Sequence, residues 1–343
     1  MRNAWYVAGW SVDLEDSKPF HIDILEEPIV LYRSDSGRLV ALEDRCVHRH
    51  AALSLGRCEG ENLRCMYHGI KFAPDGKAIE IPGQDMIPGK AKVKSYPAIE
   101  KHSWMWVWMG DPKKADEELI PPAVGMDHPD FLLGHGTLNY EAEARLINDN
   151  LLDFSHLPYI HKESFGSSEE FAQKPPLITP LERGVRFSRW QTNLTGAPDG
   201  NDTGEMIDVW STYDYLIPGI LLMESAGFPA GTTEAFNHDC PDMDKSICNR
   251  NFTSQAVTPT TKKGTRYFFN WGPYRKHGGA EMRDAMMGIG EMAFGEDKRM
   301  IEAQQKIIDS TEKPVVMAIT NDRGVVMYNR LINKFIDQEQ SET

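Results

Sequence analysis

Residues 46–69, CVHRHAALSLGRCEGENLRCMYHG, constrain this chain more than any other stretch. Cys46 and His48 form a C-x-H step, Cys65 and His68 a C-x-x-H step, and residues 49–64 separate the two pairs. Thiolates and imidazoles are the ligands that zinc and iron select. A zinc finger usually presents Cys-Cys on one knuckle and His-His on the other. Here each half carries one Cys and one His. That suits a [2Fe–2S] cluster gripped by two loops, with thiolates on one iron and imidazoles on the other. Zinc is the alternative for the same four residues.

At 343 residues the chain has room for one large domain or two ordinary ones. The region around the Cys-His pairs reads as strands. Ile22, Ile24 and Ile29–Tyr32 run into the turn Ser34–Gly37, and Leu39–Leu42 return as a hairpin. A second hairpin follows the second pair: Lys71-Phe72, the turn Pro74–Gly76, then Ala78–Ile81. Trp104–Trp108 is a heavily aromatic strand whose tryptophans suit a core. The segment Gly110–Gly125 is polar and Pro-containing, so the domain boundary is predicted there, with domains 1–115 and 116–343. Beyond it, residues 141–157 have helical spacing (Ile147, Leu151, Phe154). Strand-like runs follow between 184 and 271, broken by turn clusters such as Gly196–Gly204, and Glu296–Ser310 returns to helix.

The formal net charge of −14 and the sequence pI near 5.3 argue against nucleic acid as a partner. No run approaches the roughly 18 apolar residues of a membrane span, and MRNAWYVAGW does not read as a signal peptide. Of five cysteines, Cys58, Cys240 and Cys248 follow no framework pattern and read as free thiols, which predicts a cytoplasmic protein.

A second constellation lies within the first helical stretch. Asn150, Asp153 and His156 fall at i, i+3 and i+6, on one side of a helix, and His161 follows five residues later. Pro158 is expected to end the helix between the histidines, so that the chain swings His161 back beside His156. Two histidines with one carboxylate make the facial triad of mononuclear non-haem Fe(II), which leaves positions open for O₂ and substrate.

With Arg49 after the first Cys-His pair, Tyr67-His68-Gly69 in the second, and the N-x-x-D-x-x-H-x₄-H run, the chain resembles the oxygenase component of Rieske non-haem iron oxygenases. Asn3–Val7 and Glu296-Asp297-Lys298 resemble the vanillate and dicamba O-demethylase branch. The resemblance implies an α+β protein: an N-terminal all-β Rieske [2Fe–2S] domain, then a catalytic domain whose antiparallel sheet is flanked by helices in a helix-grip-like fold. It implies Cys46, His48, Cys65 and His68 as cluster ligands, and His156, His161 and Asp297 as ligands of Fe(II), with Glu296 the rival carboxylate. Asp153 then bridges His156 to the cluster His68 of the partner subunit, which implies a homotrimer. Electrons come from NAD(P)H through a ferredoxin or reductase.

By the same resemblance the reaction is O₂-dependent demethylation of a methoxy-aromatic compound with release of formaldehyde. N-dealkylation and ring hydroxylation are alternatives on the same iron. A pure electron carrier is disfavoured, because the chain continues well past the cluster region. Met223 and Gln255 match positions where the dicamba-type relative holds its substrate with Asn and His. Met223 cannot donate a hydrogen bond and Gln255 can, so a less anionic or larger substrate is expected. Phe269 and Trp271 suit aromatic pocket walls or core. Residues 277–295, with Met282, Met286, Met287 and Met292 among glycines, suit a pocket lid or a plain buried helix.

Overall fold

The computed structural model describes the chain apart from residues 17, 166, 196–205 and 342–343. The turn cluster expected at Gly196–Gly204 therefore lies outside the described residues. Two compact units emerge. The first is Met1–Pro122 with Thr258–Gly264, and the second is Ala123–Val257 with Thr265–Thr343.

The first unit carries strands β1 (Trp5–Trp10), β2 (Phe20–Ile24), β3 (Glu27–Arg33), β4 (Leu39–Glu43), β5 (Arg57–Glu59), β6 (Asn62–Arg64), β7 (Lys71–Phe72), β8 (Ala78–Glu80), β9 (Ser95–Tyr96), β10 (Ala98–Lys101) and β11 (Trp104–Trp108). They form three sheets, ordered β1-β11-β10, β2-β3-β4-β9 and β5-β6-β7-β8. Both predicted hairpins are present, with registers Ile29↔Glu43 and Phe72↔Ala78. The aromatic strand is core, because every residue of β11 is buried. It pairs with β1, so that Trp5 meets Trp108 and Trp10 meets Trp104, with edge-on rings 5.5 and 4.7 Å apart. Such aromatic pairs add about 1 kcal/mol each beyond the area they bury. A second core cluster gathers Leu63, Phe72, Ala78 and Val93 around Cys46 and Cys65, so both thiols sit on an apolar floor. Residues 258–264 belong here through Leu25 N to Pro259 O (2.9 Å), Glu26 N to Thr260 O (2.8 Å) and Thr258 Oγ1 to Val7 O (2.7 Å).

The second unit is built on one antiparallel sheet. Its strands are β12 (Gly134–Tyr140), β13 (Leu177–Leu181), β14 (Gly184–Thr195), β15 (Met206–Leu216), β16 (Ile220–Pro229), β17 (Cys248–Thr261) and β18 (Gly264–Pro273), ordered β12-β18-β17-β16-β15-β14-β13. The helices are α1 (Ala144–Leu152), α2 (Leu157–Ile160), α3 (Glu169–Gln173), α4 (Thr232–Ala235), α5 (Ala280–Ser310) and α6 (Arg323–Ser341). Register aligns Phe187, Tyr213, Met223 and Thr253 across β14 to β17, on one face. That face receives the long helices. Tyr215 meets Tyr328 of α6 at 5.0 Å and Phe269 meets Phe294 of α5 at 4.7 Å. A Cβ on Gly324 of α6 would lie 2.3 Å from the Phe187 ring.

Two helical expectations are corrected. The predicted helix 141–157 ends at Leu152, and the break falls at Asp153 (φ −136°, ψ 98°) rather than at Pro158. Asp153 caps a 3₁₀ turn, Phe154–His156, by accepting from Ser155 N, so its side chain competes with helix continuation. Pro158 instead lies in the first turn of α2, where its missing N–H costs nothing. The tail helix starts at Ala280, so the Gly- and Met-rich stretch is its first half. Met286 and Met287 are buried in it and Met292 is exposed. The stretch is helical from Ala280 on, buried along one face at Met286, Met287, Gly290, Ala293 and Phe294 and exposed along the other.

Candidate metal centres

The two cluster loops are built alike. His50 N donates to Cys46 O at 2.9 Å, and Gly69 N donates to Cys65 O at 3.0 Å. Each closing residue, four after its cysteine, takes a positive φ, 55° at His50 and 77° at Gly69. Both thiols are buried, while His48 and His68 are exposed at the rim. Their rings stand 4.4 Å apart at 70°. Two buried sulfurs and two rim imidazoles fit a [2Fe–2S] cluster with one iron inward and one outward. Burial pushes the Cys46 thiol up to about 11, so metal binding must displace its proton. The first loop is anchored by buried Asp44, which the sequence reading missed. Its carboxylate accepts from Ser54 N (2.6 Å) and Ser54 Oγ (2.7 Å) and lies 2.7 Å from His21 Nδ1. Nothing in the D-x-C spacing marks it in advance.

The second centre joins α1, the turn after it, and α5. One ring nitrogen of His156, one of His161 and an Asp297 oxygen lie within 4.8 Å of one another. Asp297 Oδ1 is 3.6 Å from His156 Nε2 and 3.2 Å from His161 Nε2. Ligands about 2.1 Å from one metal at right angles stand about 3 Å apart, so the spacing suits a facial triad. The outer ring atoms are held as well. His156 Nδ1 donates to Asp153 O at 2.6 Å, and His161 Nδ1 meets Glu296 Oε2 at 2.9 Å. Those bonds turn both Nε2 atoms inward.

The two neighbouring carboxylates face different edges of His161. Adjacent residues of a helix point about 100° apart, so Asp297 addresses the inner edge of His161 and Glu296 its outer edge. Ser164 Oγ fixes Glu296 from behind at 2.8 Å. Burial opposes protonation of His161, but Asp297 and Glu296 outweigh it and hold its pKa above the usual value. At His156 burial prevails and the pKa is lowered. Asn150 Nδ2 donates to Asp297 Oδ1 at 3.0 Å and lies 3.4 Å from His156 Nε2. One buried carboxylate facing two imidazoles is a site that favours a cation.

Residues 4–97 match the Rieske [2Fe-2S] domain family, and residues 140–338 match the vanillate O-demethylase oxygenase C-terminal domain family. The chain belongs to the Rieske oxygenases. A toluene-4-sulfonate monooxygenase system iron-sulfur subunit of Comamonas testosteroni is 34% identical, covering 100% of this chain and 99% of its own. A vanillate O-demethylase oxygenase subunit of Pseudomonas sp. is 32% identical, covering 99% and 96%. The crystal structure of dicamba monooxygenase bound to 3,6-dichlorosalicylic acid superposes with a TM-score of 0.86 at 27% identity, covering 99% and 98%. The expected α+β fold, Rieske cluster and mononuclear iron chemistry are thereby borne out. No described helix is long and apolar enough to cross a membrane.

Within this Rieske oxygenase, Asp153 departs in detail from expectation. Its main-chain carbonyl, not its carboxylate, orients His156. The carboxylate accepts from Ser155 N (2.8 Å) and Ser155 Oγ (2.9 Å). The pocket candidates separate into two groups. Met223 is half-buried beside buried Thr253, and Gln255 lies opposite Leu221. The Gln255 Oε1 has no partner among the described residues, and its Nε2 only approaches Thr253 Oγ1 at 3.4 Å. Phe269 is core, stacked with Tyr267 and edge-on to Phe294, and it covers Gly136, where a Cβ would lie 2.3 Å from its ring. Trp271 is nearer the metal site. Phe165 stands 5.2 Å from His161 and 6.0 Å from Trp271. Trp271 Nε1 donates to Asn251 Oδ1 at 2.9 Å, and Asn251 Nδ2 donates to Ser225 Oγ at 3.0 Å. Sequence reading missed Asn251 and Phe165, since neither carries a motif.

Proposed function

We propose that this Rieske oxygenase oxidatively demethylates a methoxy-substituted aromatic compound. The observation that carries this reading is the inward-facing His156–His161–Asp297 set, which lies next to the aromatic wall Phe165–Trp271. Relatives named for vanillate and dicamba demethylation support the substrate class. Overall, a methyl aryl ether, O₂, two electrons and two protons give a phenol, formaldehyde and water. When bound, the iron supplies the oxidation of an unactivated C–H bond, for which protein side chains have no chemistry.

The chain's own residues bind, orient and exclude. His156, His161 and Asp297 hold the metal on one side. Asp153 O and Glu296 lock the two rings, and Asn150 pins Asp297. Phe165 and Trp271 offer flat apolar surface to a ring and keep water away, while Asn251 fixes the Trp271 indole. Gln255 Oε1 and Met223 lie on the same sheet face as candidate specificity determinants. The hydroxymethyl ether left by methyl oxidation loses formaldehyde without further help from the protein.

Cys46, His48, Cys65 and His68 are proposed to hold the cluster that receives electrons from a ferredoxin or an NAD(P)H-dependent reductase. Asp153 is proposed to carry the electron route, its carboxylate meeting His68 of the partner subunit while its carbonyl holds His156. That role requires an oligomer, a homotrimer in this proposal, in the cytoplasm.

The relative named for toluene-4-sulfonate favours a second reading, oxidation of a methyl group bonded directly to the ring. A single-turnover experiment separates the two. Reduced, iron-loaded protein is mixed with O₂ and a panel of methoxy-, methyl- and N-alkyl-arenes, and products are read by mass spectrometry with a formaldehyde assay. Phenol and formaldehyde in equal amounts are expected. A benzylic alcohol without formaldehyde would establish the second reading instead.

A further inference from the structure

Both cluster loops open on an arginine directly before the cysteine, Arg45-Cys46 and Arg64-Cys65. Their backbones behave alike: Cys46 N donates to Ala51 O at 2.9 Å, and Cys65 N to Ile70 O at 2.8 Å. Their arginines do not. Arg45 turns outward, exposed, and pairs with Glu43. Arg64 folds back over its own loop, and its Nη1 donates to Gly69 O at 2.6 Å. Gly69 directly follows His68. The guanidinium therefore closes from outside the same loop that the Gly69 N–H closes from within.

Two carboxylates hold Arg64 in that place. Its Nε donates to Glu59 Oε1 at 2.7 Å, while Nη1 and Nη2 donate to the two oxygens of Glu80 at 3.0 and 2.9 Å. The Glu80 pair is the parallel fork that fits a guanidinium to a carboxylate. The strands bring these groups together, because Glu59 ends β5, Arg64 ends β6 and Glu80 ends β8. Register sets Arg64 opposite Lys71 and Lys71 opposite Glu80. Lys71 Nζ completes the group, 2.7 Å from Glu59 Oε2. The Arg64 side chain is only 13% exposed, less than any of these partners. Surface ion pairs by themselves contribute little. What sets this one apart is its bond to the carbonyl of the ligand loop.

We propose that Arg64 is a positioning residue of the [2Fe–2S] cluster, which fixes the end of the His68 loop and raises the cluster's reduction potential. The inference rests on the reading of Cys46, His48, Cys65 and His68 as the cluster ligands. Reduction adds one electron, and so one negative charge, to the cluster. A cation fixed against the ligand loop stabilises that charge, which makes reduction more favourable. Arg45 lies out in solvent on Glu43, where its field is screened. Glu80 works against Arg64. The guanidinium holds the Glu80 carboxyl below its usual range, so the carboxylate is charged at neutral pH.

Redox titration of the intact holoprotein, followed at the cluster absorbance, reads the effect. Arg64→Gln is expected to keep its iron and sulfide while reduction becomes about fivefold less favourable. That is a fall of about 40 mV, at 59 mV per tenfold for a one-electron couple. Arg64→Lys, which keeps the charge but not the fork, should lower the potential less. Glu80→Gln removes the opposing charge and leaves an oxygen for Arg64, so its potential should rise. A loop that is merely loosened would not shift in opposite directions in these two variants. Glu80→Gln also serves if Arg64→Gln does not take up the cluster. Arg45→Gln should move the potential less than half as far as Arg64→Gln. An unchanged potential in Arg64→Gln, no rise in Glu80→Gln, or an equal shift in Arg45→Gln would overturn the proposal. Cluster absorbance undiminished in Cys65→Ser would instead overturn the ligand reading, whatever the potentials show.

Discussion

The two metal centres of this protein are assembled in opposite ways. The four proposed cluster ligands all lie within residues 46–68, and each loop is closed by one short backbone bond. The proposed iron site joins His156 and His161 to Asp297, with Glu296 behind His161, and these meet only where α5 packs beside the turn after α1. The first keeps its histidines at an exposed rim. The second buries His161 and Asp297, where a charge is stable only when paired. Local geometry makes a robust ligand loop, whereas a reactive centre needs walls that no single stretch can supply.

Substitutions at Asp297 and Asp153 should part the two centres most sharply. Asp297→Ala removes the only carboxylate among the described residues that faces both Nε2 atoms. Iron analysis should show loss of the mononuclear metal with the cluster absorbance intact, and turnover should fall to background. Iron retained at wild-type stoichiometry would transfer the ligand role to Glu296. Asp153→Asn is subtler, because Asn caps a helical turn as well as Asp does, and the carbonyl that holds His156 is untouched. Both metals should remain bound while turnover drops roughly a hundredfold. Unchanged turnover would remove Asp153 from the electron route.

Glu296→Gln tests the outer support of one ring. The amide can still accept from His161 Nδ1 but carries no charge, so iron affinity should weaken by about 10–100-fold, read by competition with a chelator. The cluster loops should respond more mildly. Gly69→Ala meets both a positive φ and a Cβ contact of 2.8 Å with Pro82 Cγ, and should cost about 2 kcal/mol in the first unit. His50→Gly relieves the same backbone conformation in the other loop and should stabilise it by about 0.5 kcal/mol. Thermal melting followed at the cluster absorbance measures both, and opposite signs would establish that the two loops are strained at equivalent positions.

Much of the fold could be read in advance where partners lie close in sequence. The hairpins β3–β4 and β7–β8 and the aromatic core strand β11 were legible from alternation and turn residues. The helix break was misplaced, because Pro158 is the conspicuous breaker while the capping preference of Asp153 depends on Ser155 turning back to meet it. The Met-rich stretch 277–295 remained open between lid and helix, since its glycines weaken helix propensity and only packing against the sheet restores it.

The Cys46–His48 and Cys65–His68 steps and the His156–His161 pair were legible in the sequence, because each is a property of a few consecutive residues. Packing between distant segments brings Asp297 to the Nε2 side of His161, turns the Asp153 carbonyl onto His156, and sets Phe165 and Asn251 beside Trp271. Those depend on the angle at which α5 meets the ring of His161 and on the register of the sheet strands beneath it. Such distances are set by packing between segments far apart in the chain, and no local pattern encodes them.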